Sequence, residues 1–159
     1  MAGRGASRPP WLTKDDYLDM AQVSLEHNYR AAVSTNAGEV RNALRVLQMA
    51  TQHGRADASV FLMGLIGILP ADNWELRAAT VEALRYTRTE TCVGLLVSEL
   101  RRVKGSNSTR RYLAKILDVL GEFPASLIRH ELAALAEEPT VSPKMRRKLF
   151  DVAWQARDG

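Results

Sequence analysis

Three histidines, one cysteine and 18 acidic residues are the side chains of this 159-residue chain suited to acid–base, nucleophilic or metal chemistry. A metal site needs ligands spaced so that the fold brings them to one point. His27, His53 and His130 stand far apart, and no HExxH pattern occurs. Cys92 has no second cysteine with which to hold a metal or form a disulfide. It falls on an apolar stretch, where a thiol packs as a small core residue. His53 is placed at a helix end, where it can satisfy carbonyls, and Glu137 and Glu138 read as the solvated end of a helix. No glycine-rich loop follows a strand, and no Ser/His/Asp set is marked. No catalytic, cofactor-binding or metal residue is therefore assigned, and no enzyme activity or cofactor is expected.

Charge says more than reactivity. The net charge is +4, but it is unevenly spread. Residues 72–100 carry −2, residues 101–120 carry +5, residues 121–140 carry −3 and residues 141–159 carry +3. Two basic patches result: Arg101, Arg102, Lys104, Arg110, Arg111 and Lys115, then Lys144, Arg146, Arg147 and Lys148. Most such runs are solvated faces. Arg101, Arg102 and Lys104 close a helix, where positive charge suits the dipole. Arg110, Arg111, Lys144, Arg146 and Arg147 open helices, where it opposes the dipole. The unfavourable residues lie about one repeat apart and predict a basic edge able to bind phosphates or an acidic protein surface. Tyr112 is the aromatic near this edge, which gives little for base stacking.

The elements that carry these patches are helices. The stretch Asp72 to Lys104 reads as a helical hairpin. Asp72 with Glu75, and Thr87 with Glu90, have capping-box spacing. Leu76, Ala79, Thr80 and Ala83 form one stripe, and Val93, Leu96, Val97 and Leu100 another. The unit recurs. Predicted caps at Asn36, Asp72, Ser108 and Ser142 are spaced by 36, 36 and 34 residues. Leu44, Thr80, Ile116 and Phe150 form one column; Leu47, Ala83, Val119 and Ala153 form a second; Val40, Leu76 and Tyr112 form a third that breaks at Arg146.

The run Leu76-Arg77-Ala78-Ala79 with Ala83-Leu84, followed by Leu95-Leu96 to Leu100, resembles the HEAT-like repeat family, over roughly residues 36 to 157. Arg41 and Arg77 take that family's arginine place, and Leu113 replaces it in the third unit. No aspartate recurs at a matching place in the turns to form the family's Asp–Arg ladder. The resemblance implies an α-solenoid used for macromolecular binding.

The expected fold is all-α: a right-handed α-solenoid of antiparallel helix pairs, with about eight helices. A basic tail over 1–12 is expected to be disordered, and 13–159 to form a single helical-repeat domain. Within it we expect a capping helix 13–34, units 36–69, 72–104 and 107–138, and a terminal helix 142–157. Gly54 is expected to close the first helix of its unit, Gly121 to close the first helix of the third unit, and Pro124 and Pro143 to sit in first helical turns. The terminal helix lacks a partner, so self-association through it is expected as one use of its outer face.

Apolar content of 46% and charged content of 25% suit a soluble globular chain. The longest apolar run, Val60 to Leu69, is too short to span a bilayer. No apolar core follows Arg4 and Arg8, so no signal peptide is expected. A cytoplasmic location is the default. The function expected is a non-catalytic protein–protein interaction scaffold, with another protein as partner, one with an acidic surface fitting best. The alternative is a helical repeat that contacts nucleic-acid phosphates through the basic patches. A distant third is a HEAT-like enzyme of the DNA-base glycosylase or chromophore lyase type, for which Asp118 and Glu122 are the acids nearest the basic patch.

Overall fold

The computed structural model describes residues 24–157, and among them regular structure is entirely helical. The expected tail 1–12, the first half of the capping helix, and Trp11, Tyr17 and Met20 lie outside the described residues. Helix α1 occupies 24–31 of the described chain. It is followed by α2 (Ala37–Gln52), α3 (Ala56–Ile68), α4 (Trp74–Ala83), α5 (Glu90–Arg102), α6 (Arg110–Leu120), α7 (Ala125–Ala136) and α8 (Pro143–Gln155). None of these is long and apolar enough to cross a membrane.

The chain divides into two compact units, Met1–Val46 and Leu47–Gly159, with the boundary inside α2. In the first, Asn28 Nδ2 donates to the Ser24 carbonyl at 2.7 Å, and Leu25, Ala32, Val40, Ala43 and Leu44 are buried. The N-terminus of α2 is capped as its sequence indicates. Asn36 Oδ1 accepts from the Glu39 amide at 3.0 Å. The Glu39 carboxylate takes a proton from Ser34 Oγ at 3.1 Å rather than returning to the cap.

In the second unit, α3 packs on α4, α4 on α6, α5 on both α6 and α7, and α8 on both α6 and α7. Side chains from these helices fill one core. Leu62, Leu84, Leu96, Ile116, Leu120, Ile128, Leu132 and Leu149 are buried, each contributing about 1.5–3 kcal/mol of apolar transfer. The column Leu47, Ala83, Val119 and Ala153 is buried at every member, and its small residues let helix backbones approach. Gly54 ends α2 at φ +84. Its amide donates to the Thr51 carbonyl and the Arg55 amide to the Ala50 carbonyl, which is a Schellman closure that favours glycine.

Several expected positions move. Asn73 caps α4, accepting from the Leu76 amide at 3.2 Å, so Asp72 is not the cap. Thr89 caps α5, accepting from the Cys92 amide at 3.1 Å, while Thr87 is buried with its hydroxyl on Ser59. Thr109 precedes α6 in place of Ser108, and its hydroxyl donates to the Lys104 carbonyl at 2.7 Å. Pro124 stands just before α7, whose first amide, that of Ala125, donates to the Arg157 carbonyl at 3.0 Å. Gly121 follows α6 as expected, in ordinary right-handed conformation. Ser142 caps α8 with Pro143 in its first turn, as the sequence indicates. In α8 the inward position is Leu149, and Phe150 is 36% exposed, so Phe150 leaves its predicted column.

Candidate functional site

Two charged networks tie the helices together, and both consume residues that the sequence would place on the surface. Arg77 on α4 reaches inward. Its Nη2 donates to Glu99 Oε1 on α5 at 2.8 Å, and its Nη1 donates to the carbonyls of Leu69 and Pro70. The Tyr112 hydroxyl on α6 donates to the same Glu99 oxygen at 2.5 Å, and Arg102 holds both carboxylate oxygens. The Arg77 guanidinium lies 5.8 Å from the centre of the Tyr112 ring, which in turn meets Trp74 at 5.5 Å. Arg77 Nε is buried without a hydrogen bond. Burial works against ionisation of Glu99, yet the hydrogen bonds from Arg102, Tyr112 and Arg77 outweigh it and hold the carboxyl at about 2. Burial and the Glu99 bond push the Tyr112 phenol up. This network joins α4, α5 and α6 and is closed to ligands.

The second network joins α4 to α6. Arg85 donates to Glu82 at 2.7 Å and to Asp118 at 2.6 Å, and it also pairs with Glu122. Lys115 reaches Glu82 at 2.8 Å, and Gln48 Nε2 reaches the Glu82 side chain at 3.2 Å. The Arg85 hydrogen bond, aided by Lys115, holds the Glu82 carboxyl down at about 2. The Arg85 guanidinium is held protonated well above its ordinary range. Asp118 and Glu122, the acids nearest the basic patch, are thus the partners of Arg85.

The ten basic candidates separate accordingly. Arg101 forms a forked pair with Glu138, closest at 2.8 Å. Arg102 is held by Glu99 and Lys115 by Glu82. Arg110 donates to Asn107 Oδ1 at 3.1 Å. Arg146 turns back on α7: its Nε donates to the Ala136 carbonyl at 2.6 Å and its Nη2 to the Val141 carbonyl at 3.3 Å. That closes the C-terminal end of α7, so Arg146 leaves the expected edge. Lys104, Arg111, Lys144, Arg147 and Lys148 are exposed and make no hydrogen bond or ion pair among the described residues. They are the free cations of the two patches.

The free residues Arg147 and Lys148 lie on α8, and the same helix bears the exposed aromatics Phe150 and Trp154. Arg147, Phe150 and Trp154, three and four residues apart, share one flank. Beside them, α7 and α8 leave a groove of about 400 Å³ lined by Ala125, Ser126, Arg129, His130, Ala133 and Trp154. The Arg129 guanidinium sits 4.7 Å from the centre of the Trp154 ring. Its Nε donates to the Ala153 carbonyl at 3.1 Å and its Nη2 to the Ala156 carbonyl at 3.5 Å. Trp154 is 62% exposed. Arg129 and Trp154 belong to no sequence motif. The available signal was a tryptophan on the polar side of an amphipathic helix.

Cys92 is fully buried on α5, and burial pushes its thiol up to about 12, which suits a core residue and not a nucleophile. Among the described residues no three His, Cys, Asp or Glu side chains cluster as a metal site would require. In comparisons with family models, curated proteins and solved structures, none matches the chain.

Proposed function

We propose that the chain is a short HEAT-like, right-handed α-solenoid of antiparallel helix pairs, acting as a non-catalytic protein-interaction scaffold in the cytoplasm. Support for the solenoid comes from packing order. Helices two apart in sequence are neighbours, α4 with α6, α6 with α8 and α5 with α7, as stacked hairpins require. The observation that carries the function is the flank of α8 on which Phe150 and Trp154 face solvent beside the free Arg147. Exposed aromatics next to an unpaired arginine are what protein interfaces concentrate. Self-association would use the same face.

Nucleic-acid binding is favoured by a narrower observation: Arg111, Lys144, Arg147 and Lys148 are free, in or just beyond the first turns of α6 and α8. Against it, Arg101, Arg102, Lys115 and Arg146 are already satisfied within the chain. Affinity capture with the full chain, with and without nuclease digestion, separates the two. A protein partner that survives digestion and is lost with Arg147→Glu supports the scaffold. Recovery that depends wholly on intact nucleic acid overturns it.

A further inference from the structure

The α7–α8 groove combines a small-residue floor, one aromatic wall and a guanidinium whose orientation is already fixed. Arg129 spends Nε and Nη2 on the carbonyls of Ala153 and Ala156, and its Nη1 makes no hydrogen bond among the described residues. Held by those two bonds and by the Trp154 ring, Arg129 offers the N–H groups of Nη1 with little ordering left to do. Ala125, Ser126 and Ala133 leave room for a backbone to approach.

The surrounding charge has one prevailing sign. Arg147 and Arg157 are exposed on the α8 side without partners, and His130 is exposed on the α7 side. Glu137 at the end of α7 and Asp151 on α8 are the nearby acids without a partner among the described residues, and neither lines the groove.

We propose that this groove takes a short acidic segment of a partner protein, with one carboxylate on Arg129 and an apolar side chain against the open part of Trp154. The assignment rests on the scaffold reading and adds the chemistry of the partner to it. A carboxylate on an arginine already positioned by backbone bonds makes a charge-assisted contact in a partly dry site. A tryptophan and an arginine side by side are the residue types that dominate binding energy at protein interfaces. A nucleic-acid base can also stack on an indole, but a strand needs successive aromatic platforms, and Trp154 is the one aromatic lining this groove.

The test is a titration of the isotopically labelled full chain, followed by its amide and indole N–H signals. Three probes are used: a short capped peptide of glutamates with interspersed leucines, the same peptide with lysines for glutamates, and a single-stranded oligonucleotide. The glutamate–leucine peptide is expected to shift the Trp154 indole and the amides from Ala125 to Ala133, while the lysine peptide does not. Trp154→Ala should weaken binding at least about tenfold. His130→Glu, at an exposed position that leaves the Arg129 bonds untouched, should weaken it as well. Equal shifts with both peptides, no shifts in the groove, no effect of Trp154→Ala, or stronger groove shifts with the oligonucleotide would each overturn the proposal. Shifts confined to another surface would remove the groove and leave the scaffold reading standing, since nuclease-resistant capture judges that reading separately.

Discussion

Arg77 of α4 and Glu99 of α5 meet at 2.8 Å with side chains only 4% and 7% exposed. A pair so enclosed is costly to desolvate and more costly to break, because the survivor is left charged and unpaired. Glu99→Ala is expected to destabilise the chain by roughly 3–5 kcal/mol. Tyr112→Phe, which removes one hydrogen bond to the same carboxylate, should cost about 1.5–3 kcal/mol. Replacing Arg77, Glu99 and Tyr112 together by Met, Leu and Phe should recover much of the Glu99→Ala loss. Denaturant melts of the three proteins check this order.

Acid should undo the same contacts. Glu99 and Glu82 have folded values of about 2 against an ordinary 4.5. Both are depressed by folding, so their stabilisation is fully present above about 4.5 and is lost as pH falls toward about 2. Unfolding free energy measured across that window should fall with decreasing pH, and Glu99→Gln should flatten the slope. A slope equal to wild type in Glu99→Gln would show that Glu99 is not ion-paired in solution.

Leu96 is fully buried on α5, and Leu96→Ala should cost roughly 2–5 kcal/mol. Lys144→Ala should be neutral or slightly stabilising, because Lys144 is exposed in the first turn of α8, where its charge opposes the helix dipole. The reverse order in a melt would mean that the buried and exposed faces are wrongly assigned.

Gly54 adopts φ +84 at the close of α2. A Cβ would meet open space there, so crowding is not the issue. The left-handed backbone itself should make Gly54→Ala destabilising by roughly 1–2 kcal/mol, as read from the melting midpoint.

Much of the helical layout was legible because apolar spacing and caps act locally. Asn36, Gly54 and Ser142 stand where their chemistry requires. Asp72, Thr87 and Ser108 missed by one or two residues because Asn73, Thr89 and Thr109 are equally able caps, and tertiary packing chooses among them. Phe150 was misplaced by extending a 36-residue register across an interval of 34, which turns Leu149 inward instead. Arg77 and Glu99 read as surface charges, and nothing local marks two such residues as partners 22 positions apart. Arg146 likewise looked like part of a basic edge until the end of α7 supplied its carbonyls.

The most direct test of the scaffold reading is polyanion binding by the full chain, followed by fluorescence anisotropy of labelled duplex DNA and RNA across a salt series. With Arg101, Arg102, Lys115 and Arg146 satisfied internally, few cations remain to release counterions. The account predicts weak binding without sequence preference at low salt, gone by about 0.15 M ionic strength. Glutamate at Arg110, Arg111 and Arg147 should abolish the residue of that binding with the helical signal intact. Tight binding that persists at about 0.15 M and is lost with those three substitutions would contradict it.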